Sequence, residues 1–573
     1  MRALFFSVQD PTKQLSCSGL IAGTPAFRKL LLSNIVYRIR PATALSTPLP
    51  NTNTSGSPFP RTWLLILFFA SLNLLVHGLT YDNFELHRDA YLYYAQSEHL
   101  AWGYVAVPPA VAVIGKTATM IFGNTVFGLR FFPALIGSAN LLIIGLAVRE
   151  LGGRKTAIIL ASFAYLLSPA YLHVNAMFQP VAFNHFFWLL SAYLILVMVK
   201  RNKPKMWIWI GIVFGLAFLN KYSILFFMAA FALSLLFSAQ RTLYISRYFI
   251  LSVALGFAII FPNLLWQYQH NWPVMYHMAE LRETQLAHVH YSDFLFDQLL
   301  MNAHALLIWT GALIILLFYR REKQFRLFGV IYLFIVLLLI TGSGKSYYTL
   351  GIYPVLFIFG AYFTEKYITR FLLPVTLILV AGMVAGLYFS LPFDGIPMTT
   401  FEKTLDKGAF RWEDGQYYDL PQDMADMTGW KEIGETVAGI YRGMERKDRE
   451  NCAVFCDHYG QAGAVMFYGK QAGVPQPVSF NGSFVFWSPE RLAADRVIYI
   501  AYPGDYREDL DTLLTSWFEN IELLHTVNNP WFRENGTRIY LCFKPKEETR
   551  LRYHTEMMEA KGRYRRTGSA RKD

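Results

Sequence analysis

Residues 85–109 read ELHRDAYLYYAQSEHLAWGYVAVPP and directly follow the first long apolar run of the chain. Four ionisable side chains fall within residues 85–89, beside a segment that is apolar enough to cross a membrane. Asp89 permits two interpretations, which are compatible with each other. An aspartate directly before Ala90 can cap a helix that begins there. The same carboxylate can also serve as a catalytic group.

The composition is that of a polytopic α-helical membrane protein with a soluble part. Of the 573 residues, 54% are hydrophobic and only 16% are charged, whereas soluble domains contain about 25% charged residues. The formal net charge is +12. This charge does not indicate a nucleic-acid partner, because basic residues on cytosolic loops orient a membrane protein in the bilayer.

We predict about eleven transmembrane helices. A span needs about 20 predominantly apolar residues, and segments that reach or approach this length recur along the first two thirds of the chain. Their approximate ranges are 62–79, 126–148, 155–172, 181–199, 206–220, 222–238, 247–266, 303–319, 326–342, 350–364 and 371–390.

The distribution of Lys and Arg between these segments predicts their orientation. If the N-terminus lies in the cytosol, the inward turns contain fifteen Lys and Arg residues and the outward segments contain six. Cytosolic loops carry the excess of basic residues in membrane proteins. With eleven spans, the part of the chain after the last span is therefore predicted to be extracytoplasmic.

The chain divides into four predicted regions. Residues 1–60 are rich in Pro, Ser, Thr and Asn and are predicted to be disordered. Residues 61–390 form the membrane domain, and residues 391–545 form an extracytoplasmic α/β domain. Residues 546–573 are predicted to be a basic, flexible tail.

The α/β domain is predicted from short apolar runs that alternate with helical segments. Residues 505–521 are predicted to be helical throughout. Cys452 and Cys542 fall in two of the strand-like runs and are candidates for a disulfide between neighbouring strands. The strand-like runs are residues 451–459, 495–503 and 536–545.

Polar side chains occur at the outer ends of five predicted spans, where ionisable residues are candidates for a functional site. The strongest alternative for each lysine is an anchor at the membrane surface. One of these segments, GSGKS at residues 342–346, resembles the end of a phosphate-binding loop, but that motif needs glycine at position 339, which is Leu339. No nucleotide cofactor is therefore predicted. The polar residues are Asp89, Gln179, Lys221, His270 and Lys345.

Six motifs, in order along the chain, resemble bacterial glycosyltransferase family 39. This family belongs to the GT-C superfamily, with the protein O-mannosyltransferases and the lipid A aminoarabinose transferases. The resemblance covers about residues 62–545. The motifs are RDAYLYYAQSEHLAWGYVAVPP (88–109), NAMFQPVAFNHFFWLL (175–190), LNKYSILFF (219–227), PNLLWQYQHNWP (262–273), GKSYYTLGIYP (344–354) and DHYGQAGAVMFYG (457–469).

The resemblance implies a GT-C membrane fold and transfer of a sugar from a polyprenyl phosphate to an acceptor at the outer face of a bacterial inner membrane. The acceptor is a glycan, a lipid or a protein. A carboxylate is needed beside the acceptor hydroxyl, and cations are needed to stabilise the departing phosphate. By match, Asp89 is the catalytic carboxylate. The residues expected to bind the substrates are Arg88, Gln179, Lys221, His270, Lys345, Tyr347 and Tyr348.

The sequence departs from the family pattern at Ala90 and Gln179, where acidic residues are usual. Both departures remove negative charge that could bind a divalent metal ion. A metal site formed by Asp89 and His87 is one hypothesis, and a metal-free site is another. The same departures support an alternative function, a non-catalytic binder or carrier of polyprenyl-phosphate sugars. A secondary transporter fits the number of spans but not the large outer domain.

Overall fold

The computed structural model describes residues 61–389, 408, 410–503 and 510–566. The predicted disordered segment 1–60 lies outside these residues. The first part of the described chain is a bundle of helices, which we number in chain order. They are α1 (Arg61–Thr80), α2 (Arg88–Glu98), α3 (Ala110–Phe122), α4 (Val126–Leu151), α5 (Lys155–Leu166), α6 (Pro169–Ala176), α7 (Pro180–Arg201), α8 (Met206–Asn220), α9 (Ile224–Leu236), α10 (Arg247–Gln269), α11 (Pro273–Thr284), α12 (Tyr291–Leu300), α13 (Leu306–Phe318), α14 (Arg326–Thr341), α15 (Tyr353–Tyr367) and α16 (Leu372–Phe389).

The protein is a multi-pass membrane protein. Six helices of the described residues are long and apolar enough to cross a membrane: α1, α4, α7, α10, and α14 and α15 with the 3₁₀ turns that precede them. Two bent pairs, α5 with α6 and α12 with α13, raise this number to as many as eight. The other three predicted spans are the shorter apolar helices α8, α9 and α16. Every predicted span thus coincides with a helix, and the total of eleven crossings stays a prediction.

Helix α2 follows α1 after the connecting residues 81–87, and it contains Asp89. Its N-cap is His87, whose Nδ1 accepts a hydrogen bond from the backbone N–H of Asp89 at 3.1 Å. The prediction that Asp89 caps a helix beginning at Ala90 is therefore wrong, because the imidazole of His87 takes this role. Asp89 lies within the first turn of α2, where the helix dipole stabilises a carboxylate. Its side chain is available for other contacts.

The second part of the described chain carries a four-stranded sheet in the order β3-β4-β6-β5, in which β3 and β4 are parallel and the other pairs are antiparallel. A small antiparallel hairpin, β1–β2, precedes it. The elements are β1 (Phe410–Arg411), β2 (Tyr417–Tyr418), α17 (Gln422–Ala425), α18 (Trp430–Gly443), α19 (Arg446–Glu450), β3 (Cys452–Cys456), α20 (Tyr459–Gly469), α21 (Phe484–Trp487), β4 (Arg496–Ala501), α22 (Leu510–Trp517), β5 (Phe518–Thr526), β6 (Arg538–Pro545) and α23 (Glu547–Gly562).

Three details of this domain differ from the prediction. The helix expected across residues 505–521 ends at Trp517, because the following residues pair with β6 as the edge strand β5. Cys452 and Cys542 are buried free thiols, since β4 lies between their strands. Much of the segment predicted as a flexible tail is the helix α23, which buries Tyr553 and Met557 against the sheet.

The hydrophobic core of the α/β domain extends into the segment between α1 and α4. Buried side chains of α2 and α3, such as Tyr91 and Tyr94, belong to the same cluster as Trp430, Val465 and Ile498. A second and larger cluster lies within the helix bundle. Helix α2 is therefore held by the core of the α/β domain, although in sequence it directly follows the first span.

Helices α2 and α20 approach each other closely at Gly463. A Cβ atom at this position would lie 2.6 Å from the carbonyl oxygen of Tyr91, well inside van der Waals contact. Glycine is the residue that permits two helix backbones to come this close. The contact sets the position of the first residue of α20, Tyr459, relative to the first turn of α2.

Replacing Gly463 with alanine is expected to lower the free energy of unfolding by about 1–3 kcal/mol, the usual cost of an extra methyl group in a packed contact. The added Cβ would meet backbone atoms, which cannot turn away as a flexible side chain can. Gly439→Ala, on the exposed side of α18 with no atom within 4 Å of the new Cβ, is the control and should be neutral or stabilising. Thermal unfolding in detergent measures both variants. Equal unfolding midpoints for the two variants would contradict the close contact.

Candidate active site

The N-termini of two helices meet at the carboxylate of Asp89. One is α2, and the other is α20 of the α/β domain, whose first residue Tyr459 donates a hydrogen bond from its hydroxyl to Asp89 Oδ1 at 2.6 Å. Helix α20 is also capped by a histidine, because Nδ1 of His458 accepts the backbone N–H of Gly460 at 3.1 Å. The catalytic carboxylate predicted from the sequence is thus oriented by a side chain from the second domain.

Asp89 remains ionised at neutral pH. Burial raises its pKa, but the charge of Arg88 and the hydrogen bond from Tyr459 act in the opposite direction, and the pKa lies below its ordinary value of 3.8. The side chain of Asp89 retains 29% of its exposure. A fixed, charged and still accessible carboxylate can accept or orient a hydroxyl proton.

Two further carboxylates, Asp423 and Asp426, come from the segment around α17. One oxygen of each lies 3.7 Å from Nε2 of His87. Asp426 is 1% exposed and is balanced by Arg533, at 3.1 Å, and by Arg88, at 3.9 Å. The side chain of Arg88 is 13% exposed and lies between Asp89 and Asp426. Arg88 therefore serves here as a counter-ion to carboxylates, and its predicted contact with substrate stays a prediction.

Asp423 has a second imidazole partner. Its Oδ2 lies 2.9 Å from Nε2 of His173, in α6. The carboxylate therefore lies between His173 and His87. This arrangement joins the α/β domain to two separate segments of the membrane part through a single side chain.

His87, Asp423 and Asp426 are the one group of three potential metal ligands in the part of the chain that the structure describes. The imidazole does not fit a metal ion in this arrangement. Its Nδ1 accepts the backbone N–H of Asp89 and lies 3.0 Å from the amide nitrogen of Gln179. Since a backbone N–H can only donate, the lone pair of the neutral ring is on Nδ1 and the proton is on Nε2. A ligating nitrogen needs an uncommitted lone pair, so His87 offers none to a metal in this group or beside Asp89.

Glu534 is a buried carboxyl group behind Arg88, with an exposure of 1%. Burial raises its pKa to about 7, although Arg88 and the hydrogen bond from Gln461, at 2.8 Å, act in the opposite direction. The second oxygen lies 3.5 Å from Nδ1 of His458. The site thus contains two carboxyl groups of different character, because Asp89 is kept charged and Glu534 is near its midpoint at neutral pH.

Cationic and aromatic side chains collect where α8 and α14 end. Nζ of Lys221, between α8 and α9, lies 5.2 Å from the ring centroid of Tyr348 and 5.9 Å from that of Tyr347. Burial and the charge of Lys345 lower the pKa of Lys221 to about 8, and the charge of Asp89 acts in the opposite direction. The structure therefore brings these predicted residues within electrostatic reach of one another.

Lys345 forms two polar contacts. Its Nζ donates to Oε1 of Gln285 at 2.6 Å and pairs with the carboxylate of Glu413 in the β1–β2 hairpin. The ammonium group also lies 6.0 Å from the ring centroid of Tyr347. Lys221 and Lys345 thus share an aromatic side chain, and Glu413 supplies a counter-charge to the second lysine.

His270, which belongs to the predicted set, and Glu85, which does not, have other surroundings. The ring of His270 stacks on Trp266 at 4.1 Å and lies 5.7 Å from Phe486, so the structure groups it with the packing between α10 and the α/β domain. Glu85 accepts the backbone N–H groups of Gly429 and Lys431 and holds the first turn of α18. Substrate binding by His270 stays a prediction.

The sequence did not reveal most of the residues contributed by the α/β domain. Tyr459 and His458 lie in the motif at 457–469, which carried a signal that could have found them. Asp423 and Asp426 lie in a segment without a recognisable motif, and their approach to His87 depends on the packing of the two domains. The functional residues that the sequence missed are Tyr459, His458, Asp423, Asp426, Arg533, Glu534 and Glu413.

The fold is shared with a solved structure. ArnT from Cupriavidus metallidurans bound to undecaprenyl phosphate superposes with a TM-score of 0.58 and 12% identity, covering 83% of this chain and 97% of ArnT. The apo state of the same protein gives a TM-score of 0.55. The chain has the GT-C fold. The predicted fold class is thereby confirmed.

Two sequence comparisons agree with this GT-C fold. A family model described as dolichyl-phosphate-mannose-protein mannosyltransferase matches residues 106–266. Lipid A galacturonosyltransferase RgtD from Rhizobium johnstonii is 26% identical over 223 residues, which is 39% of this chain and 46% of that relative. The aligned part is thus less than half of the length of RgtD. The resemblance to GT-C glycosyltransferases is confirmed.

Replacing Asp426 with asparagine is expected to lower the free energy of unfolding by about 3–5 kcal/mol, because Arg88 and Arg533 would lose their buried counter-charge. Asp495→Asn is the control. It breaks a pair with Arg550 whose aspartate side chain is 51% exposed, and such pairs contribute about 0–1 kcal/mol. Thermal or denaturant unfolding in detergent compares the two. Similar losses in both variants would refute the buried charge balance.

Proposed function

We propose that the protein is a membrane glycosyltransferase that moves a sugar from a polyprenyl phosphate to an acceptor at the outer face of the bacterial inner membrane. The observation that carries this proposal is the ionised Asp89, fixed by Tyr459 and within electrostatic reach of Lys221. The excess of Lys and Arg on the opposite turns supports an extracytoplasmic position for this site and for the α/β domain.

In the proposed reaction, the acceptor hydroxyl attacks C1 of the sugar while the bond between C1 and the phosphate oxygen breaks. Asp89 orients the hydroxyl and accepts its proton. Since the pKa of Asp89 is below its ordinary value, the proton moves late, when the new C1–O bond has made the hydroxyl more acidic. The negative charge that develops on the departing polyprenyl phosphate is stabilised by Lys221 and Lys345.

The relatives support this choice of donor and leave the acceptor class to be assayed. The name of the matching family includes a dolichyl-phosphate-linked sugar, dolichyl-phosphate mannose, and the ArnT structure contains undecaprenyl phosphate. The acceptors named for the relatives are a protein and lipid A. Protein, lipid and glycan acceptors are therefore the classes to compare.

The second candidate function is a non-catalytic binder or carrier of polyprenyl-phosphate sugars. Ala90 and Gln179 favour it, because both lack the negative charge usual in the family. The two candidates differ in turnover. Release of free polyprenyl phosphate from a panel of polyprenyl-phosphate sugars, with each acceptor class present, supports the transferase, whereas binding without release supports the carrier.

Asp89→Asn is expected to reduce the turnover number by about 10²–10⁴-fold, the usual contribution of a general base. Asparagine keeps the shape of the side chain and can still accept the hydrogen bond from Tyr459, so the variant should insert and fold normally. Asp82→Asn, in the exposed turn after α1, is the control and should keep full activity. The readout is free polyprenyl phosphate. Full activity of Asp89→Asn would overturn the assignment of the carboxylate.

We also propose that Lys221 and Lys345, rather than a divalent metal ion, stabilise the departing phosphate, because His87 offers no lone pair to a metal. The purified protein is expected to contain no stoichiometric divalent metal by elemental analysis. Its activity should survive dialysis against EDTA. One metal ion per chain, lost together with the activity on chelation and restored with it, would contradict this proposal.

A further inference from the structure

The carboxylate of Glu413 contacts the ammonium group of Lys345, which the proposed reaction assigns to the donor phosphate. Glu413 lies in the turn of the β1–β2 hairpin, and one of its oxygens contacts Nζ of Lys345. The Lys345 side chain is only 14% exposed, and its other polar partner is Gln285. An incoming phosphate therefore meets a lysine that already has an anionic partner.

The hairpin that carries Glu413 is held by contacts within itself and with the residues that directly follow it. Trp412 stacks on Tyr418 with 3.6 Å between ring centroids, and its indole N–H donates to the carbonyl of Leu420 at 2.7 Å. The backbone N–H of Glu413 donates to the side chain of Gln422 at 2.8 Å. The backbone at Glu413 is thus fixed. Besides its contact with Lys345, the side chain has one long hydrogen bond, in which its Oε2 accepts from Nε2 of Gln422 at 3.4 Å.

The exposures of the two partners indicate which of them can leave. The side chain of Glu413 is 36% exposed, more than twice the 14% of Lys345. A half-exposed carboxylate recovers hydration when it swings toward water, whereas a lysine with little exposure cannot withdraw without losing its partners. Glu413 is therefore the displaceable member of the pair.

A phosphate and a carboxylate cannot share Lys345 without strong repulsion, because like charges at contact distance oppose each other most where water is scarce. Lys221, which also lies beside Tyr347, supplies the second positive charge of the site. The pair of lysines is thus only partly neutralised by Glu413. Glu413 reduces the repulsion between the two lysines, and the positive charge that remains still attracts a further anion.

We propose that Glu413 is an internal competitor of the donor phosphate, which leaves Lys345 when the polyprenyl phosphate binds and returns when it departs. This inference rests on the proposed function, since it takes Lys345 as a phosphate ligand. The consequence is that Glu413 regulates the binding of the phosphate at this same site. Glu413 weakens the binding of the phosphate and so promotes release of the polyprenyl phosphate product.

The experiment measures the affinity of the full-length protein in nanodiscs for undecaprenyl phosphate without a sugar. Glu413→Gln is expected to bind it about tenfold more tightly than the unchanged protein, because glutamine keeps the shape of the side chain and removes the competing charge. Lys345→Gln is expected to bind about tenfold more weakly. The double variant should match Lys345→Gln, because Glu413 acts only through that lysine. A tenfold change corresponds to about 1.4 kcal/mol.

Asp414→Asn is the matched control. Asp414 neighbours Glu413 in the same turn and accepts hydrogen bonds from the backbone of Gln416 and the hydroxyl of Tyr418, both at 2.9 Å. It therefore reports the effect of loosening the hairpin and removing one nearby charge. Its affinity for undecaprenyl phosphate should be unchanged.

The outcomes separate this inference from the proposed function. If Lys345→Gln binds more weakly while Glu413→Gln is unchanged or weaker, the competitor role is refuted and the donor site stands. If both variants bind as the unchanged protein does, Lys345 is not a phosphate ligand and the proposed donor site fails as well. An equal increase in the affinity for undecaprenyl phosphate in Glu413→Gln and Asp414→Asn would also refute the proposal. Such a result would show that any loss of negative charge from the hairpin strengthens binding.

Discussion

The close contact between α2 and α20 is the constraint on which the site depends. A polar side chain near a membrane surface has many conformations available, and fixing one of them costs conformational entropy. Here the backbone contact at Gly463 and the shared hydrophobic core place Tyr459 against Asp89 before any substrate arrives. The α/β domain is therefore part of the candidate active site, and the orientation of the carboxylate is set by folding.

The charges of the site are balanced in two groups. Around His87, the carboxylates Asp89 and Asp426 are offset by Arg88 and Arg533, and burial makes each partner necessary to the others. Beside Tyr347, the charges of Lys221 and Lys345 exceed the counter-charge supplied by Glu413.

The sequence predicted what depends on local pattern. The apolar runs predicted the helices of the bundle, and the motif at residues 88–109 led to the prediction of Asp89 as the catalytic carboxylate, because these signals lie within short segments of chain. The sequence could not predict that Asp426 lies beside His87, since residues more than three hundred positions apart are brought together only by tertiary packing. It also failed at the end of α22, where strand pairing with β6 overrides a helical pattern that the residues after Trp517 could have continued.

The tautomer of His87 explains why glutamine, rather than the usual acidic residue, suits position 179. With glutamine there, the side-chain amide can donate to Nδ1, which already accepts the backbone N–H of Asp89. A carboxylate at position 179 would need a proton on Nδ1, and that proton would compete with the cap of α2. The amide thus agrees with the cap, and the cap directs the Nε2 proton toward Asp423 and Asp426. In the sequence, Gln179 looks like the loss of a metal ligand. In the structure, its amide favours the tautomer in which His87 faces Asp423 and Asp426 with its Nε2 proton.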